Sequence, residues 1–282
     1  MQRLVLTLFL VLWSVSGALA GAMDDWRLAY DAQNRGDYAE AIRLYTQVIQ
    51  SGELSGENLA KVYTNRAIAH HNADQIDPAV ADYTKAIQIK ADFVDAWVGR
   101  CGIYSRKQLY DQAIADCDRG AALSPDYFLA YYNRGVALYH KNLVDRSVAD
   151  FTKAIALKPD YALAYSFRCY AYVAKAEHEV KRDPLLAQAS ADCNKALQLS
   201  PGEASATRSL ARIAELRKAS TATGTTGTTT GTTGKTPGTT GTTTVPGGGR
   251  GTTTPGGQTT SRGGGGDNGG GGGGLRQDGG NR

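Results

Sequence analysis

Apolar and small residues recur along most of this chain with a helical period. In one kind of segment they fall at i, i+4 and i+7, and in the next at i and i+7, spacings that place side chains on one face of an α-helix. The first kind aligns Tyr63, Trp97, Tyr131 and Tyr165, each followed four residues on by Ala67, Cys101, Gly135 and Cys169. The second aligns Ala79, Ala113, Ser147 and Ala189, then Tyr83, Cys117, Phe151 and Cys193, then Ala86, Gly120, Ala154 and Ala196. Large residues set against small ones let two antiparallel helices approach closely, so each pair of segments predicts a helical hairpin. Turns such as Asn34-Arg35-Gly36-Asp37 join the two helices.

The hairpins repeat. Ala91-Asp92-Phe93, Pro125-Asp126-Tyr127 and Pro159-Asp160-Tyr161 recur every 34 residues, and this corner ends each unit. A helix pair of this length with these columns resembles the tetratricopeptide repeat, whose consensus runs Trp-x2-Leu-Gly-x2-Tyr, Ala-x3-Phe and Pro. The resemblance covers about Ala22 to Pro201 in five repeats, at about 22–52, 60–93, 94–127, 128–161 and 162–203. The first is the most divergent. It keeps Leu28-Ala29, Gly36, Ala41 and Tyr45 but lacks the closing proline, and Glu53–Leu59 separates it from the second. The fifth carries eight extra residues near 177–184. Thr207, Leu210, Ala211 and Ala214 repeat the first-helix spacing once more, so 204–218 is expected to be the capping helix such arrays need. The resemblance implies an all-α, right-handed superhelical solenoid whose concave side is lined by first helices and accepts peptides or protein segments.

Both ends depart from the pattern. Arg3 supplies positive charge, Leu4 to Val15 is almost continuously apolar, and Ala18-Leu19-Ala20 gives a small-x-small cleavage site before Asp24 and Asp25. Residues 1–20 are therefore read as a secretory signal peptide, with the mature chain beginning near Gly21. The stretch is barely long enough to span a bilayer, and Ser14, Ser16 and Gly17 interrupt it, which argues against a retained anchor. No second apolar run follows, so no integral membrane span is expected after cleavage. The expected location is the periplasm or the exterior. From Thr221 onward the chain is mostly Gly and Thr, with no aromatic and only Ala222, Val245 and Leu275 as hydrophobes. Such a segment cannot bury enough surface to offset its ordering entropy, so 219–282 is expected to be a disordered tail.

Charge and candidate chemistry narrow the function. The net charge is +4. Beyond Ser220, five basic and two acidic residues give the tail +3, leaving +1 for everything before it, which argues against a nucleic-acid footprint. Gly231 to Thr236 resembles a phosphate-binding loop, but Thr229 stands where its first Gly is needed and no strand precedes it, so no nucleotide is expected. His70, His71, His140 and His178 form no ligand or catalytic set. His178-Glu179 begins like a zinc-protease motif, but Asp183 replaces its second histidine. No nucleophile-base pair emerges. The chain is read as non-enzymatic, without cofactor or metal.

Arg66, Arg100, Arg134 and Arg168 are each followed by an aspartate on the second helix, Asp82, Asp116, Asp150 and Asp192, at a separation of 16 residues three times and 24 once. The first repeat has Leu28 and Leu44 at these positions, so charge meets charge and leucine meets leucine. The arginines are read as structural. Cys101 and Cys117 occupy facing columns of the third repeat, and Cys169 and Cys193 the same columns of the fifth. In an exported chain this favours disulfides over four small core residues, because cysteine underfills an aromatic slot unless it meets a partner.

Tyr30, Tyr132, Tyr139 and Tyr170 remain after the hairpin columns and corners are filled. They share a further face of the first helices with Trp26, Ile68, Val98, Val136 and Val173. Aromatic residues surplus to a core suggest a binding surface, so Trp26, Tyr30, Ile68, Tyr132, Val136, Tyr139, Tyr170 and Val173 are the candidate partner-binding residues. Some family members clamp acidic carboxy-terminal tails on this face. Asn65 and Asn133 stand at plausible places for that, but the cations are missing, so an apolar or aromatic peptide suits the face better. The function expected is a protein-interaction scaffold or adaptor in the cell envelope. The alternative is a surface or matrix protein whose Gly/Thr-rich tail is the working part.

Overall fold

The structure, a computed structural model, describes residues 21–224. The signal-peptide reading of 1–20 and the disorder reading beyond 224 lie outside the described residues. Eleven helices and no strand make up this part of the chain. Helices α1 (21–34) and α2 (Tyr38–Ser51), α3 (Gly56–Asn72) and α4 (Ile76–Ile89), α5 (Val94–Arg106) and α6 (Tyr110–Leu123), α7 (Phe128–His140) and α8 (Val144–Leu157), and α9 (Ala162–Glu177) and α10 (Asp183–Leu199) form five hairpins. Helix α11 (Ala204–Gly224) follows the last. First helices of adjacent hairpins touch, α3 with α5, α5 with α7 and α7 with α9, whereas the second helices α4, α6, α8 and α10 stay apart. Helices that crowd lie inside a curve, so the first helices line the concave side of this all-α solenoid.

Each arginine of the repeat joins three helices. Arg100 on α5 donates Nε and Nη2 to the carboxylate of Asp116 on α6 at 2.7 and 2.9 Å, and Nη1 to Thr84 Oγ1 on the preceding α4 at 2.9 Å. Arg66 and Arg168 do the same with Asp82 and Thr46, and with Asp192 and Thr152. Arg134 takes Asp150 and reaches back to Asp118. Each guanidinium also lies over the aromatic ring three residues earlier, Tyr63, Trp97, Tyr131 or Tyr165, 5.1–5.8 Å from its centroid. Burial works against the charge of Arg100, and the hydrogen bond and charge of Asp116 outweigh it, so its pKa rises. Such a fork is specific to arginine, since an ammonium cannot match a carboxylate in two places and a hydroxyl in a third. In the first hairpin, where leucine stands at both positions, Leu44 is buried and Leu28 is 50 % exposed.

The interior closes its hairpins in two ways. In the fourth repeat the Phe151 ring fills the space that a Cβ on Gly135 would need, at 2.7 Å, and in the second Tyr83 sits as closely over Gly99 of the next hairpin. In the third and fifth, where both facing columns hold cysteine, Cys101 is joined to Cys117 and Cys169 to Cys193, with Cα atoms 5.6 and 5.5 Å apart. All four are fully buried.

The irregular stretches have local causes. Leu54, in the segment between the first two repeats, is buried against the first hairpin's core, and α3 starts early, at Gly56. Of the eight extra residues in the fifth repeat, α9 and α10 each absorb three by lengthening, and the turn takes two. Helix α11 is described to Gly224, past the boundary at 218 read from composition.

The turn inside each of the first four hairpins has one left-handed residue: Gly36 at φ 82°, then Asp74, Gln108 and Asn142, each at φ 60°. The residue after it closes the helix end, as when Leu109 N–H donates to Tyr104 C=O at 2.9 Å. Glycine, aspartate and asparagine tolerate this conformation, and glutamine does not. Gln108→Gly is therefore expected to stabilise the protein by about 0.5–1 kcal/mol, raising the urea midpoint, whereas Asn142→Gly gains less than half of that. An unchanged midpoint for Gln108→Gly would show that the turn carries no such strain.

Candidate functional site: an aromatic face on the first helices

The concave face singled out from the sequence divides into three parts. Ile68 (5 % exposed) and Val173 (4 %) belong to the interior, Ile68 among Tyr83 and Ile87, Val173 among Leu186 and Ile213. Tyr132 also departs from the expected groove role. Its ring packs edge-on against Tyr161 at 5.1 Å and Phe167 at 5.7 Å, and tilts against Phe151 at 6.1 Å. Burial in this cluster holds the Tyr132 phenol well above its usual pKa. The physical reason is common to all three. Tyr132 does help complete its own hairpin, through Phe151, and all three lie where one first helix packs on the next, a contact that columns within a single hairpin do not reveal.

The remaining candidates reach solvent. Trp26 and Tyr30 are half-buried, with Trp26 against the core of the first hairpin. Val136 and Tyr139 are half-buried on α7, and Tyr170 on α9 is 47 % exposed. The Tyr139 and Tyr170 rings lie 5.1 Å apart, tilted at 49°. Burial first, and then Tyr170, raise the pKa of Tyr139.

Two rings extend this pair. His140 meets Tyr139 edge-on at 5.6 Å and stacks at 5.3 Å and 9° on Tyr110, the first residue of α6. Burial lowers the pKa of His140, so the ring is neutral at pH 7. Tyr110, His140, Tyr139 and Tyr170 thus form a single file of rings across three helices. Sequence reasoning singled out neither Tyr110 nor His140 as part of this face. Their 30-residue separation is the only signal, and it is shared by Lys107 with Asp77, Lys141 with Asp111 and Lys175 with Asp145, which pair across the same edge.

Polar groups on this face are largely committed. Asn133 Nδ2 donates to Val98 C=O at 3.2 Å, and Arg106 pairs with Asp74 at 2.5 Å. Burial, and then the charge of Arg106, lower the pKa of His71. Among the described residues no three His, Cys, Asp or Glu side chains come together as a metal site, and no helix is long and apolar enough to cross a membrane.

Family models for the tetratricopeptide repeat match residues 60–93 and 103–162. No match is found among curated protein sequences. Among solved structures, the thermophilic TPR protein TTC0263 of Thermus thermophilus superposes with a TM-score of 0.54 at 16 % identity, over 70 % of this chain and 99 % of that one. MamA (residues 41 to the end) of Desulfovibrio magneticus RS-1 gives 0.52 at 18 %, over 65 % and 97 %. A chain of the APC/C heterotetramer Cut9–Hcn1 gives 0.58 at 15 %, over 73 % and 40 %. At these identities the likeness is one of fold. The family matches show tetratricopeptide repeats at residues 60–93 and 103–162, and the structural neighbours show that the described residues have the fold of a tetratricopeptide-repeat solenoid.

The two tyrosines should separate by experiment. Tyr132→Ala removes a ring packed on three others and is expected to cost about 2–3 kcal/mol. Tyr170→Ala should stay within about 0.5 kcal/mol of the parent. Urea or thermal unfolding of the two variants checks this, and equal losses would place Tyr170 in the core.

Proposed function

We propose that this chain is a protein-interaction scaffold of the cell envelope, holding a segment of a partner protein against the concave face of its first helices. The observation that carries the proposal is the Tyr139–Tyr170 pair, aromatic surface that no hairpin needs for its own packing. Binding rather than chemistry suits a face where Arg106 is already paired with Asp74 and where burial lowers the pKa of His71 and His140.

Export is part of the proposal. The cysteine pairs support it, since disulfides persist in oxidising compartments. Each closes a short loop, worth about 3 kcal/mol on the chain-entropy estimate. Protein recovered from the envelope fraction is expected to begin near Gly21 and, when unfolded without reductant, to release no thiol. Four titratable thiols, or a mass that retains residues 1–20, would overturn the exported reading.

Partner capture tests the face itself. The immobilised full chain should retain at least one envelope protein that Tyr170→Ala loses, at an unchanged melting temperature. Capture that survives Tyr170→Ala but disappears when the tail beyond 224 is removed would move the function to the tail.

A further inference from the structure

The turn of the fifth hairpin differs from the others in what becomes of its backbone amides. Three residues join the two helices of each of the first four hairpins, whereas five, His178–Arg182, join α9 to α10. In the third hairpin every amide of the turn is used. Lys107 N–H donates to Ile103 C=O, Gln108 to Ser105 and Leu109 to Tyr104, at 2.9–3.0 Å. Lys107 is also held by Asp77, and Arg106 beside it by Asp74. The first and fourth turns, which carry Arg35 and Lys141, are bonded in the same way. In the fifth, His178 and Glu179 donate back to Lys175 and Ala176, and there the bonding stops. No backbone N–H of Val180, Lys181 or Arg182 is paired with a carbonyl, and neither basic side chain has an acidic partner among the described residues. Val180 is 95 % exposed, so the packing does not use it either. At the far side Arg182 C=O accepts from Leu186 N–H at 2.9 Å and is tied to the start of α10. The untied peptide bond that follows a basic residue is therefore Lys181–Arg182.

We propose that Lys181–Arg182 is the bond at which the folded array is open to a basic-specific endoprotease, and that the Cys169–Cys193 cystine holds the cut chain together. A protease must draw the residues around the bond it cuts out of their own structure, so segments without internal hydrogen bonds are cut first. In the other turns that step breaks two or three backbone bonds, and in the third and fourth an ion pair as well. Here it breaks none. The unpaired cation of Lys181 suits a specificity pocket that carries a carboxylate. Hydrolysis adds one water across the bond, leaving a carboxylate on Lys181 and an ammonium group on Arg182. The cystine lies across this cut, with Cys169 on α9 before it and Cys193 on α10 after it. Both sulfurs are buried in the same cluster as Leu186, Ile213 and Leu216, which packs α10 and α11 on α9. Cleavage alone therefore cannot shed α10, α11 or the residues beyond them. The inference goes beyond the groove reading and holds whether or not the aromatic face takes a partner.

The test exposes the full-length oxidised protein to dilute trypsin under native conditions. Products are read by intact mass and by denaturing gels run with and without reductant, and cuts beyond the fifth hairpin are scored separately. Within the five hairpins the first cut should fall after Lys181. Without reductant the hairpins should remain one species, heavier by one water. With reductant they should part into a piece that ends at Lys181 and a piece that begins at Arg182. Lys181→Gln, at an exposed position, should slow this cut about tenfold or more, while Lys107→Gln, in a bonded turn, should change it less than about twofold. A first cut at Arg35, Arg106, Lys107 or Lys141, or an unchanged rate in Lys181→Gln, would overturn the assignment of the open bond. So would hairpins that stay whole while the residues beyond 224 are stripped away. Pieces that part without reductant would overturn the role given to the cystine.

Discussion

The interaction on which this solenoid depends is the fork, present in the second to fifth hairpins, between an arginine of the first helix and an aspartate of the following second helix. Taken singly, a half-buried ion pair is weak evidence for stability, because desolvation of both charges offsets most of their attraction. Here the guanidinium does more than pair. Two of its nitrogens hold the carboxylate, a third reaches the second helix of the preceding repeat, and its face covers an aromatic ring. One side chain thereby sets the spacing inside a hairpin and the placement of that hairpin on its neighbour. Removing either partner would leave a buried charge unanswered, which costs about 3–5 kcal/mol.

Once the fork sets the outer contact, the interior of each hairpin needs only to be filled. Tyr83 and Phe151 do so with rings laid against alanine or glycine, and the cystines do so covalently. The first, second and fourth hairpins use a ring (Tyr45, Tyr83 and Phe151) and the third and fifth a cystine, so no hairpin has both. The cystines lie in α5–α6 and α9–α10, on either side of the hairpin that carries Tyr132, Tyr139 and His140. Two covalently closed hairpins therefore flank the α7–α8 pair, whose core has no cystine.

That middle hairpin is also where structure and binding compete for the same residues. Tyr132 and Tyr139 stand seven apart on α7, on one face by helical geometry. Yet Tyr132 faces Phe151, Tyr161 and Phe167, while Tyr139 faces Tyr170 at the rim. The difference is set by what the next hairpin offers at each level. Bulky Phe167 closes over the lower ring, and Tyr170 stands beside the upper one without covering it.

The sequence alone determined the hairpins, their number, the arginine–aspartate partners and the pairing of the four cysteines, because each is a contact inside a helical hairpin of constant length. At a spacing of 16 residues the same two positions must face each other in every repeat, and the eight extra residues of the fifth change the count to 24 without changing the partners. Only the tertiary structure decided which aromatic residues of the concave face are buried and which meet solvent. That outcome depends on how one hairpin rotates on the next, which is set by side chains that differ from repeat to repeat: glycine at 99, asparagine at 133, phenylalanine at 167. The stack of His140 on Tyr110 is of this kind, made across a repeat boundary by two residues that no intra-hairpin period connects.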